Sequence, residues 1–234
     1  MDKLLQINDI SLEYKDFRLD NVSFSCGSGD IIGLIGINGA GKSTTINAIL
    51  NIVEPDSGLV TWKGTEISKN NISKFREQVG FVGENICYYP TIPLKKILSF
   101  MSRIYSNWDN ERASKLIKLF NLNTTKRMRE LSTGMRVKFN LLIAMSHNAD
   151  IYILDEPTTG LDSESRKIVW GIIGKLKNSF GMTIFLTTHY LEEARNSDLI
   201  TVINHGKIVA SGSAITLQKK FSCDRLFLYP CNGK

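Results

Sequence analysis

The amino-acid sequence predicts an α/β fold with three layers, a small β-lobe at the N-terminal end and a helical lobe inserted in the core. Three observations lead there. A short continuous apolar run, Ile31 to Ile35, ends in glycine and is followed after a loop by an amphipathic helix. The pattern then changes to helix from Leu94 to Ala149. After that block, strand signals return in strand–helix–strand order, as in a parallel sheet with covering helices.

Each element has its own signal. Asp9 to Tyr14 and Asn21 to Ser25 alternate, as in Ile10-Ser11-Leu12-Glu13-Tyr14, and predict half-buried strands of the lobe. Ile31 to Ile35 predicts a buried strand leading into a loop. Ile46, Ile49, Leu50 and Val53 sit at i, i+3, i+4 and i+7, one face of a helix that Pro55 should stop. Leu59 to Lys63 and Val79 to Val82 are further strands. In the helical block, Asp109 caps a helix with an apolar face of Ala113, Leu116, Ile117 and Phe120. Ser132 to His147 is apolar nearly all round and predicts a buried helix. Strands return at Ile151 to Leu154, Thr183 to Thr187, Leu199 to Ile203 and Lys207 to Ala210, with His205-Gly206 as the hairpin turn between the last two.

Bulk properties narrow the class. With 234 residues, 42% apolar and 22% charged, the chain can bury a full core and is neither disordered nor collagen-like. A formal charge of +6 spread over this length says little about partners. Cys26, Cys87, Cys223 and Cys231 form no CxxC pair and have no histidine at ligand spacing, which argues against zinc and fits a reducing compartment. The N-terminal residues lack the apolar segment of a signal peptide, and no apolar run is long enough to cross a bilayer. Any membrane-spanning part is expected on another chain.

Gly36-Ile37-Asn38-Gly39-Ala40-Gly41-Lys42-Ser43 fits the phosphate-loop pattern GxxxxGK[ST]. Its glycines let backbone N–H groups wrap phosphate oxygens, and the helix that follows points its positive end at the same anion. Lys42 would reach the β and γ phosphates, and the Ser43 hydroxyl would ligate Mg²⁺. Ile151 to Leu154 leads into Asp155 and Glu156, an apolar strand that ends in two carboxylates. Beside a P-loop, the first suits Mg²⁺ and the second can polarise an attacking water. His189 closes the strand that begins at Thr183, within reach of a γ-phosphate.

With these motifs the sequence resembles the ATP-binding cassette (ABC) transporter ATPases, over nearly the whole chain to about Ala214. Leu131-Ser132-Thr133-Gly134-Met135 stands where that family has its LSGGQ signature, Gly160-Leu161-Asp162 resembles the D-loop, and His189 the switch histidine. The resemblance implies a P-loop NTPase (RecA-like) core with an N-terminal antiparallel β-lobe and an inserted α-helical subdomain. It implies a nucleotide-binding domain over residues 1–222, its helical subdomain at about 85–149, and a tail at 223–234.

The resemblance also assigns roles. Glu156, His189 and Lys42 are the catalytic groups. ATP is held by Gly36, Asn38, Gly39, Ala40, Gly41, Lys42, Ser43 and Thr44, with Tyr14 stacking on adenine and Phe17 as the alternative stacker. Mg²⁺ is held by Ser43, Asp155 and Glu84, the last standing where the family has its Q-loop glutamine. Two such domains pair head to tail, so Ser132 and Gly134 would meet the γ-phosphate of the partner's ATP. The implied partners are transmembrane permease subunits and a second ABC ATPase, in a homodimer or a heterodimer, with no nucleic acid. The implied location is cytoplasmic, peripheral on the inner face of the cell membrane.

The chain departs from the family pattern at Glu84, Thr133 and Met135. An ionised Glu84 cannot donate as glutamine does. Thr133 adds bulk on the nucleotide side of the signature, and Met135 removes a polar end group, which bears on turnover rate. Asn107-Trp108-Asp109 and Tyr88-Tyr89-Pro90 resemble bacterial ABC-2-type exporters, including self-protection and peptide-efflux systems. A reading in which Trp108 and the tyrosines only pack the lobe stands beside that one. Two other functions are compatible with a cassette: a soluble ABC ATPase acting on ribosomes or DNA, and a nucleotide-gated regulatory subunit with little turnover. The absence of heptads and zinc patterns weighs against the first. Glu156 and His189 weigh against the second.

Overall fold

The computed structural model describes residues 3–83, 86 and 88–221. Glu84, Cys87 and the expected tail at 223–234 lie outside the described residues.

Two sheets form the frame. The first is antiparallel, with strands β1 (Lys3–Tyr14), β2 (Phe17–Gly27), β4 (Ser57–Trp62) and β5 (Thr65–Glu66) in the order β2-β1-β4-β5. The second holds β3 (Ile31–Ile35), β6 (Val79–Val82), β7 (Ile151–Leu154), β8 (Thr183–Thr188), β9 (Leu199–Asn204) and β10 (Lys207–Gly212) in the order β10-β9-β3-β8-β7-β6. Every pairing in it is parallel except β9 with β10. Strands β3, β7 and β8 are buried at every residue; β3 and β7 accordingly read as unbroken apolar runs, while β8 carries three buried threonines.

β1 begins earlier than the alternation suggested. Asp9 takes φ 50 at a bulge between Ile7 and Ile10, and the irregularity hides the first half of the strand from a period-2 reading. The Asp9 N–H donates to Ser23 Oγ at 2.7 Å and the Ser23 hydroxyl returns a bond to Asp9 Oδ1 at 2.8 Å. Helix α1 (Lys42–Ile49) also differs: it stops well before Pro55, where Asn51 turns left-handed at φ 48. Val53 therefore packs on the core from a loop rather than from the helix.

The core lies on both faces of the parallel sheet. On one side Ile46 and Ile49 of α1 pack with Leu5, Ile7 and Phe24 of the lobe, and Phe24 stacks on Phe185 of β8 at 5.3 Å. On the other side lie α5 (Thr133–Met145) and α6 (Ser163–Phe180), with Phe139, Leu142, Ile173 and Leu176 buried. The described residues also include the short helices α2 (Ile72–Glu77) and α7 (Leu191–Ala194), and α8 (Ala214–Phe221).

The helical subdomain inserted between β6 and β7 contains α3 (Leu94–Ile104), α4 (Asn110–Leu119) and the first part of α5. Asp109 caps α4 by accepting the Arg112 N–H at 2.9 Å, and Ala113, Leu116 and Phe120 are buried as its pattern predicted. Helix α5 corrects the expectation of burial all round. It is buried continuously only from Leu141 to Met145, because its first turns project from the core into the subdomain. Trp108 and Tyr88 pack the lobe, Tyr88 meeting Phe139 edge-on at 5.7 Å, whereas Tyr89 is 77% exposed.

The turn at His205-Gly206 is left-handed at both residues, φ 45 and 73. It ties three parts together. The Gly206 N–H donates to Ala40 O and its carbonyl accepts from Asp20 N–H, each at 2.9 Å. A Cβ on Gly206 would stand 1.8 Å from Arg18 O. Gly206→Ala should therefore cost about 3 kcal/mol, read as a lower urea midpoint at unchanged slope; a wild-type midpoint would show that the turn can shift freely.

Candidate active site

Three neighbouring parallel strands deliver the polar groups to one edge. Ile35 of β3 pairs with Thr188 of β8, and Leu154 of β7 pairs with Leu186 of β8. The residues that follow are Gly36, His189 and Asp155, so the loop after β3, the end of β8 and the acidic pair after β7 emerge together. Open α/β sheets bind ligands at these carboxyl ends.

Between β3 and α1, the loop from Gly36 to Ser43 turns around its own carbonyls. Gly36 has no room for a side chain, since a Cβ would lie 2.5 Å from Ile203 O. Gly41 combines φ 111 with Phe17 Cζ and Leu19 Cδ2 at 2.8 Å from a built Cβ, so only glycine fits. Lys42 is 4% exposed and folds inward. Its Nζ donates to Gly36 O at 2.8 Å and Ile37 O at 3.0 Å, and pairs with Glu156 Oε1 at 2.9 Å.

Glu156 is the hub of this cluster. Its backbone is left-handed at φ 46, a strain of about 1–3 kcal/mol that its neighbours must hold. The Glu156 N–H donates to Thr187 Oγ1 at 2.9 Å. Its Oε2 accepts the Thr159 hydroxyl at 2.7 Å and faces His189 Nδ1 at 2.9 Å. Burial alone would push this carboxyl up. The Thr159 hydroxyl, the Lys42 ammonium and the His189 ring outweigh burial and hold it below the usual glutamate range. Asp155 is buried beside it, with Oδ1 accepting the Thr187 hydroxyl at 2.6 Å.

These groups border a cleft of about 640 Å³, a size suited to a nucleotide. Asn38, Gly39, Gly41, Lys42, Ser43 and Thr44 line it, as do Glu156 and His189. Tyr14 and Phe17 both reach its rim: Tyr14 is 43% exposed, while Phe17 packs against Gly41. Gly36 and Ala40 shape the loop from behind rather than line the cleft. The Ala40 N–H is already bonded to Ile37 O at 3.1 Å. Asp155 faces a smaller cavity of about 230 Å³ with Val82, Gly83 and Asn140.

Ser132 and Gly134 stand apart from this cleft, at the N-terminus of α5. The Ser132 Oγ accepts the Met135 N–H at 3.3 Å and caps the helix. A Cβ on Gly134 would meet Leu161 and Ser165 only at 3.9 Å, so the signature turn lies loosely beside the turn that leads into α6. Glu84 lies outside the described residues. Sequence reasoning missed Thr159, Thr187, Thr158 and Thr188. The signal was available in two Thr-Thr pairs, one shortly after the acidic pair and one just before His189.

Among the described residues no three His, Cys, Asp or Glu side chains cluster as a metal cage. The Ser43 hydroxyl lines the cleft and the Asp155 carboxylate the smaller cavity; both are hard oxygens, which fit Mg²⁺ rather than zinc. Among the same residues no helix is long and apolar enough to cross a membrane.

A glycine loop before a helix, a lysine buried in it, and a glutamate and histidine converging from the next two strands define a P-loop ATPase. The chain belongs to the ABC transporter family, whose profile matches residues 19–159. It is 33% identical over 237 residues to the linearmycin resistance ATP-binding protein LnrL of Bacillus subtilis (strain 168), covering 98% of this chain and 76% of that protein. It is 30% identical over 227 residues to the probable multidrug ABC transporter ATP-binding protein YbhF of Escherichia coli (strain K12), covering 94% of this chain and 39% of that one. A solved ATP-binding subunit of an ABC transporter superposes with a TM-score of 0.82 at 27% identity, covering 94% of this chain and 93% of that one. This chain is an ATP-binding subunit of an ABC transporter, an ATPase similar to those of ABC-2-type exporters.

The charge cluster predicts a pH dependence. The folded chain holds Glu156 below its ordinary value of 4.5, so its contribution is full above that value and is lost as pH falls through the lower folded one. The melting temperature of Glu156→Gln should lie below wild type at pH 7 and converge with it toward pH 3. A gap that stays constant with pH would remove the electrostatic cause.

Proposed function

We propose that this chain is one half of an ATP sandwich that drives export through separate transmembrane permease subunits. The observation that carries the reading is the cluster of Lys42, Glu156 and His189 at the ends of three adjacent strands. In the proposed cycle the backbone N–H groups of Gly39 and of Gly41 to Thr44 take the α and β phosphates at the positive end of α1. Lys42 exchanges Glu156 for β- and γ-phosphate oxygens. Glu156, released from the lysine, accepts a proton from water as its oxygen attacks the γ-phosphorus and the bond to the β–γ bridging oxygen breaks. His189 holds the γ-phosphate from the β8 side. Ser43 and Asp155 would hold Mg²⁺, which supplies neutralisation of phosphate charge when bound, and Glu84 is assigned to the same ion. Tyr14 stacks on adenine, with Phe17 as the alternative.

The partner's nucleotide is served by Ser132 and Gly134. The Ser132 oxygen accepts in the α5 cap, which leaves its O–H proton to donate to a phosphate oxygen. The second cassette is a copy of this chain or a related one. Export and the cell-membrane location are supported by the resistance and multidrug names of the relatives. On the helical subdomain Tyr89, Phe100 and Ile104 are 77%, 63% and 57% exposed, and Phe100 and Ile104 share one face of α3. Such apolar surface suits a permease. The cargo class favoured is a peptide or an antimicrobial compound.

Glu156→Gln should keep ATP binding and lower steady-state turnover by about 10²- to 10⁴-fold, the usual worth of a general base; an unchanged rate would remove Glu156 from that role. In the same hydrolysis-deficient background, Gly134→Glu should abolish ATP-driven dimerisation by size-exclusion chromatography, because it sets a carboxylate against the partner's γ-phosphate. A dimer that still forms would place the signature elsewhere.

A further inference from the structure

The reaction as proposed leaves one buried carboxylate without a role. Glu193, in α7, is 6% exposed and does not line the nucleotide cleft. Its two oxygens accept the Thr158 hydroxyl at 2.7 and 2.8 Å, and Oε2 also accepts the Thr188 hydroxyl at 2.8 Å. Thr158 and Thr188 are each 1% exposed. Thr188 in turn accepts the Tyr190 N–H at 3.0 Å, and the Glu193 N–H donates to Tyr190 O at 3.1 Å.

These bonds straddle the two catalytic groups. Thr158 lies two residues after Glu156, across Pro157, and Thr188 immediately precedes His189. Two threonines thus tie the β7 turn to the end of β8 on either side of the site. Thr187 bridges Asp155 and the Glu156 N–H from the front, and Glu193 bridges Thr158 to Thr188 from behind. The left-handed backbone of Glu156 persists only if the residues around it are over-determined. A single carboxylate spanning both segments meets that need and makes Glu156 and His189 move as one body.

We propose that Glu193 is a positioning residue for hydrolysis, setting the separation of Glu156 and His189 through Thr158 and Thr188 without touching nucleotide. The inference rests on the assignment of Glu156 and His189 above. Misplacement by even 1 Å in such a pair costs on the order of 10²-fold in rate.

The test is steady-state ATPase kinetics and ATP-dependent thermal shift on the full chain. Glu193→Gln keeps the volume but sets an amide N–H₂ toward a hydroxyl. It should lower kcat by about 10- to 100-fold while KM for ATP and the ATP-induced shift in Tm stay at wild-type values. Thr188→Val should reproduce the loss, Thr188→Ser should restore it, and Glu193→Gln with Thr188→Val should fall no further than either alone. Wild-type kcat in Glu193→Gln, beside an inactive Glu156→Gln, would overturn the positioning role and leave the site assignment intact. Full turnover in Glu156→Gln would overturn the assignment and this inference with it. Loss of the ATP-induced shift in folded Glu193→Gln would reduce the residue to general support of the fold and also overturn the proposal. Should Glu193→Gln fail to fold, the Thr188 pair decides: equal kcat in Thr188→Val and Thr188→Ser overturns it.

Discussion

The parallel pairing of β3 with β8, and of β8 with β7, is the constraint from which the rest of the site follows. Its register sets Ile35 against Thr188 and Leu154 against Leu186. Asp155 therefore falls level with Thr187, whose hydroxyl it accepts, and the phosphate loop leaves β3 beside the end of β8. Side chains in a strand alternate with period two, so a slip of one residue would turn each of these groups to the other face. The strands that hold this register are wholly buried, and the hydrophobic core on both faces keeps the polar edge in alignment.

Polar chemistry at that edge is organised in two tiers. In the outer tier Lys42 and Glu156 form an ion pair and, with His189, line a cleft open to water. Removing charges from water is costly unless they are paired and hydrogen-bonded. Here each carboxylate oxygen of Glu156 has a cation or a hydroxyl. The inner tier is built of threonine hydroxyls, Thr158, Thr187 and Thr188, in which neutral donors connect the acidic turn to the switch strand. Hydroxyls suit that place because each both donates and accepts, and a buried chain of such bonds fixes geometry.

The second sheet and the β9–β10 turn serve the loop from outside. Gly206 bonds Ala40 and Asp20 at once, joining the loop, the antiparallel lobe and the parallel sheet through one turn. Phe17 and Leu19 of β2 close over Gly41. The lobe thus packs directly on the loop between β3 and α1. The thiol of Cys26, on the same strand β2, is buried in this layer and pushed up by burial, which leaves it an inert packing group.

Local chemistry in the chain was enough to specify the phosphate loop, the acidic strand end, the Asp109 cap and the left-handed turn at His205-Gly206. Each depends on residues close in sequence, on glycine's tolerance of positive φ or on one capping carboxylate. The early start of β1 was hidden by a bulge at Asp9, and the end of α1 by a left-handed Asn51 in place of a proline stop. What tertiary packing alone decided is which groups meet. That Lys42 pairs with Glu156, 114 positions away along the chain, and that Glu193 reaches both Thr158 and Thr188, follows from strand order rather than from any local pattern. Tyr89 lying exposed while Tyr88 packs inside is the same lesson at the surface, since neighbouring residues are separated only by what the folded chain places against them.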